Sequence, residues 1–173
     1  MADTLRTRAQ LLALLADNIT GEISAQDLRD MLVSVMGIYG IITMAANVTG
    51  QALTADTPAK LINWEADGLG IGCTPDFANS QITIDNTGVY RITAFVSLKS
   101  DSAALNVKAS IRVDGAVKAL NEVSLDNAGG ILTIPVVDVI TVNATEIITV
   151  YLESDTTETI IVQSGQLAIK RVG

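Results

Sequence analysis

The sequence predicts a mainly β protein, an antiparallel sandwich or barrel preceded by a short N-terminal helical hairpin. Three observations lead there. Apolar residues recur at helical spacing up to residue 37, alternate with a period of two from residue 38 onward, and are broken by turn-forming Gly, Asn and Asp about every ten residues along that second part. The chain therefore divides into a two-helix anchor over 1–37 and a β-domain over 38–173.

In the first part Leu5, Ala9, Leu12, Leu15 and Ala16 make one helical stripe, and Asn18 to Gly21 stops it. Ser24 is an N-cap with Asp27 in capping-box position, and Leu28, Met31, Leu32, Val35 and Met36 follow the i, i+3, i+4, i+7, i+8 pattern until Gly37. Helices shorter than about 12–15 residues are marginal alone in water, so these stripes must find cover. Leu12, Leu15, Leu28, Met31, Leu32 and Val35 are the expected helix-packing or docking residues.

In the second part Ile38 to Ala46 and Lys60 to Trp64 are the first candidate strands, and Gly68 to Gly72 is a loop. Gln81 to Asp85 is extended, and Asn86-Thr87-Gly88 turns the chain. The clearest strand then sets Tyr90, Ile92, Ala94, Val96 and Leu98 on one face and Arg91, Thr93, Phe95, Ser97 and Lys99 on the other. The next one repeats the scheme, with Leu105, Val107, Ala109, Ile111 and Val113 inward. Asp114-Gly115 is a hairpin signal, because both residues tolerate the positive φ of a type I′ turn, and Val117, Ala119 and Val123 lie on the return strand. Ile131 to Val142 is β-branched, with Pro135 marking an edge or a bulge. Glu146 to Ser154 points Ile148, Val150 and Leu152 inward, and Thr159 to Val172 closes the fold with a bend at Ser164-Gly165.

Composition argues against chemistry. The 173 residues contain no histidine, which removes the commonest general base and a principal metal ligand. Cys73 is the only cysteine, so no intrachain disulfide forms and paired thiolates cannot hold a metal. Most aspartates that could act in pairs stand in turns (Asp85, Asp101, Asp114, Asp126, Asp155), where they serve the backbone. Gly68-x-Gly70-x-Gly72 lacks the strand-to-helix step and the spacing of a nucleotide fingerprint. A net charge of −8 with no basic run argues against nucleic acid. No secretory signal and no membrane-spanning run is visible. Three Asn-x-Thr triplets, at Asn18, Asn47 and Asn143, carry no weight without such a signal. The expectation is a non-enzyme without cofactor or metal, made in a cytoplasm.

Phe95 is a large aromatic on the otherwise polar face of a central strand, the mark of a contact surface. Arg91, Lys99, Lys108 and Arg112 give that face a basic character, so Arg91, Phe95, Lys108 and Arg112 are the expected subunit-interface residues.

Two stretches carry a resemblance. Leu11–Asn18 (LLALLADN) and Ile23–Asp30 (ISAQDLRD) resemble an N-terminal module of tailed-phage virion proteins. Thr74–Ile84 (TPDFANSQITI) running into Gly88–Ile92 (GVYRI), with Gln166–Arg171 (QLAIKR) as a last strand, resemble phage jelly rolls similar to trimeric tumour-necrosis-factor-like and complement-type heads. The resemblance implies a homotrimeric jelly roll on the outer capsid surface of a bacteriophage virion. It would be a decoration or cement protein bound to the major capsid protein. The alternative is a head-fibre or tail-fibre component that binds a host receptor or glycan. No long shaft lies between the helices and the jelly roll, which favours a compact piece seated on the capsid. The expected partners are further copies of the chain and the major capsid protein, with no membrane and no nucleic acid among them.

Overall fold

A computed structural model describes residues 10, 37–100, 105–126 and 128–172. The helical expectation, with Leu12, Leu15, Leu28, Met31, Leu32 and Val35, falls outside these residues. The chain divides after Ile38, and the unit Tyr39–Gly173 is a sandwich of two six-stranded antiparallel sheets.

Its strands are β1 (Tyr39–Met44), β2 (Gly50–Leu53), β3 (Ala59–Lys60), β4 (Ala66–Asp67), β5 (Cys73–Asp76), β6 (Gln81–Ile84), β7 (Gly88–Ser100), β8 (Leu105–Val113), β9 (Ala116–Leu125), β10 (Ile131–Val142), β11 (Ile147–Ser154) and β12 (Glu158–Arg171). Sheet 1 runs β10-β7-β12-β1-β4 with β2 also on β12, and sheet 2 runs β5-β6-β11-β8-β9 with β3 also on β11. The chain changes sheet at every step from β2 to β5, then between β6 and β7, β7 and β8, β9 and β10, β10 and β11, and β11 and β12. This is the jelly-roll winding.

The alternation of β7 places Tyr90, Ile92, Ala94, Val96 and Leu98 at full burial, and β8 does the same with Val107, Ala109 and Ile111. Ile148, Val150 and Leu152 of β11 close the core from the centre of sheet 2. Each such Val, Leu or Ile side chain contributes about 1.5–3 kcal/mol on burial, which is what holds an aromatic-poor sandwich together.

Two bulges adjust the pattern. In β12 the register on β7 shifts between Val162 and Ser164. The extra residue moves the inward set from Ile160 and Val162 to Leu167 and Ile169, so both halves of the strand stay buried. In the Asp114-Gly115 hairpin, both turn residues have positive φ, 46° and 81°. The register then shifts between Ile111 and Arg112, with Ala119 opposite the first and Val117 opposite the second. Val117 and Ala119, two residues apart, therefore face opposite sides, and Val117 is 50% exposed.

Some expected elements differ. Lys60 to Trp64 is not a strand beyond Lys60. Trp64 instead turns its ring into the core and its indole N–H donates to the Leu61 carbonyl. The Gly50–Leu53 strand has only two inward side chains, Gln51 and Leu53, too short a pattern to stand out in sequence. Pro75 lies inside β5 rather than in a loop, and β5 is the edge of sheet 2, where a missing N–H costs no ladder bond.

Candidate assembly surface

The two outer faces of the sandwich differ in how finished they are. On sheet 2 several polar side chains serve each other, although Thr149 Oγ1 is buried without a partner among the described residues. Lys108 Nζ donates to Glu153 Oε1 at 2.7 Å, and the pair holds the lysine above its ordinary pKa. The Arg112 guanidinium lies 4.3 Å over the Tyr151 ring and donates to the Gly115 carbonyl. Lys60 Nζ donates to the Asn79 carbonyl at 2.6 Å, and burial lowers its pKa.

On sheet 1 the outward row beside Phe95 is Pro135 on β10, Gln166 on β12 and Thr43 on β1. The next row is Val137, Thr93, Ala168 and Ile41, and beyond it Val139, Arg91, Lys170 and Tyr39. Val137 and Val139 are about half exposed, and Ile131, opposite Lys99, is 66% exposed. The outward side of β10 is a largely apolar strip, interrupted at Thr133, with cations beside it, and among the described residues neither Arg91, Lys99 nor Lys170 makes a hydrogen bond or ion pair.

The four expected interface residues do not share this surface. Arg91 and Phe95 stand on sheet 1, whereas Lys108 and Arg112 stand on the outer face of sheet 2. The chain crosses to the other sheet between β7 and β8, so strands consecutive in sequence are not neighbours in a sheet. Sequence reasoning also missed the larger part of the strip. Ile131, Val137 and Val139 belong to a β-branched run whose outward half is as apolar as its inward half, and alternation by polarity cannot assign such a run.

The free edge of this sheet is guarded at two points. Pro135 lacks an N–H, and its carbonyl accepts from Asn121 Nδ2 at 2.9 Å. Four positions on, the Val139 N–H donates to Asp138 Oδ1 at 2.8 Å. Proline and a charged residue on an edge strand both oppose the pairing of another chain there.

Other chemically capable groups serve the fold. The Cys73 thiol is buried, donates to the Tyr39 carbonyl at 3.2 Å, and is pushed up to about 11 by burial. The Tyr90 hydroxyl donates to the Asn86 carbonyl, and burial raises it to about 12. Of the glycosylation-like triplets, Asn47 donates to the Val162 carbonyl and Asn143 to Glu146. Among the described residues, no three His, Cys, Asp or Glu side chains group as a metal site.

The architecture is a tumour-necrosis-factor-like jelly roll. The structure is similar to murine APRIL, with a TM-score of 0.56 over 78% of this chain and 99% of that chain at 13% identity. It is also similar to Eiger TNF from S. frugiperda, with a TM-score of 0.52 over 79% of this chain and 94% of that chain at 8% identity. No protein-family model matches the sequence, and no curated protein matches it.

Proposed function

We propose that this chain is a non-enzymatic assembly module whose copies associate through the outer face of sheet 1 into a homotrimer. The observation that supports it is the contrast between the two faces. Sheet 2 pairs Lys108 with Glu153 and Arg112 with Tyr151, although Thr149 Oγ1 is buried without a partner among the described residues and Val117 and Leu120 of β9 are half exposed. Sheet 1 groups the exposed Ile131, Val137 and Val139 on one strand near Phe95 and Pro135. Covering such a strip is favourable at roughly 25 cal/mol per Å² of apolar surface. Closed cyclic symmetry lets every copy cover it once.

The finer reading is a decoration protein on the outer capsid surface of a phage head, bound to the major capsid protein through 1–37. It rests on the resemblance of Leu11–Asn18 and Ile23–Asp30 to a virion module. Three linked anchors would act through effective concentration rather than through one strong contact. A glycan-binding role is less well supported, because Trp64 and Tyr90 are buried and the Tyr151 ring carries Arg112.

Sedimentation velocity tests the assembly. The expected species has three times the 18.1 kDa protomer mass, and Val137→Asp with Val139→Asp converts it to monomer. A wild-type monomer at micromolar concentration would overturn the reading. Immunogold labelling of intact particles tests the location, with capsid faces expected and labelling confined to tails decisive against it.

A further inference from the structure

We infer that the second copy seated on sheet 1 brings a carboxylate to the Arg91–Lys170 pair, so that copies of this chain recognise one another by charge as well as by apolar contact. The inference rests on the self-association proposed above and names the chemistry at one point of it.

Arg91 and Lys170 stand directly opposite each other in the β7–β12 ladder. Side chains so placed have Cβ atoms about 4.5–5.5 Å apart, and like charges there repel. Both are exposed, and in their row they are bracketed by Val139 and Tyr39. Lys60, Lys108 and Arg112 on sheet 2 have partners in their own chain, whereas Arg91 and Lys170, like the single Lys118 on β9, have none among the described residues. Of these three, only Arg91 and Lys170 stand opposite each other in a ladder. The fold therefore tolerates an uncompensated like-charge pair beside the apolar strip of β10.

Covering that strip would take both cations out of water, which is costly unless the covering surface supplies an anion. A second copy is suited to supply it. The chain carries 19 Asp and Glu against 11 Lys and Arg, so carboxylates are in excess on every copy. Opposite charges met in this way also fix the orientation of the two surfaces.

The test is sedimentation velocity on the full chain across a salt series, at constant pH, for wild type, R91Q/K170Q and R91E/K170E. Wild-type association is expected to weaken at least tenfold between low and high salt. R91Q/K170Q should still assemble, weakly and with little response to salt, and R91E/K170E should stay monomeric. Circular dichroism melts should show both variants folded, with R91Q/K170Q no less stable because repulsion is relieved. A wild type that assembles with no salt response, or an R91E/K170E variant that assembles like wild type, would overturn this inference and leave the apolar interface standing. A wild type that never assembles would instead remove the self-association reading itself. Association strengthened by sodium phosphate over sodium chloride at equal ionic strength would assign the anion to the solvent, and the carboxylate would fall.

Discussion

Gly40 tests how the two sheets meet. It is buried on β1, and a Cβ built there lies 2.3 Å from the Cys73 sulfur of β5, with Ile169 and Ile82 at 3.4 and 3.6 Å. Non-bonded heavy atoms rest roughly 3.5–4 Å apart, so Gly40→Ala requires the thiol to retreat by more than about 1 Å. It has little room, because it is buried and donates to the Tyr39 carbonyl. Overpacking of this kind costs about 1–3 kcal/mol, and the upper half is expected with both residues on paired strands. Cys73→Ala alone removes one buried heavy atom and costs about 1 kcal/mol. In the double variant the new methyl occupies the vacated space, so the two costs should fall short of additivity by about 1–2 kcal/mol. Urea denaturation followed by circular dichroism, at one fixed protein concentration, measures all four corners of the cycle. If Gly40→Ala lies within about 0.5 kcal/mol of wild type, or if the two costs add, the contact does not work as described.

Alkali should destabilise the fold from about pH 9. Cys73 and Tyr90 have folded pKa values raised by burial to about 11 and about 12, so their contribution is complete below their unfolded values and is lost as pH rises toward the folded ones. Cys73→Ala should delay the onset by about one pH unit, toward the ordinary tyrosine value near 10. A stability that is flat to pH 11 would contradict this. Tyr90→Phe leaves the Asn86 carbonyl without its donor and should cost about 1 kcal/mol, seen as a melting temperature lower by about 2–4 °C. An unchanged melt would mean that the carbonyl is served otherwise. Opening the β10 edge with Pro135→Thr and Asp138→Ser should produce large assemblies that bind thioflavin T, and a variant that keeps the wild-type sedimentation profile would show that the edge needs no guard.

Much of the fold was legible because the signals that carry it are local. The inward sets of β7, β8 and β11, the Asp114-Gly115 turn and the irregularity in the last strand all follow from period-two alternation and from residues that tolerate positive φ. The short strands were less legible. β2 has only two inward side chains, and β3 and β4 are two residues each, formed because β11 and β1 present ladder partners. Of the expected interface set, Phe95 and Arg91 share one face and Lys108 and Arg112 another, since alternation says which side of a strand a residue takes but not which sheet the strand joins.

The change from helical to alternating apolar spacing near residue 37, the lack of histidine and the single cysteine are written in the chain itself. Those properties belong to neighbouring residues and to composition. Tertiary structure alone decided that β7 lies between β10 and β12 while β8 lies between β11 and β9. It thereby gathered Ile131, Val137 and Val139 beside Phe95 and set Arg91 against Lys170. Strand order is a choice among distant partners whose backbones offer the same hydrogen bonds. It is resolved only when two whole sheets close on one core.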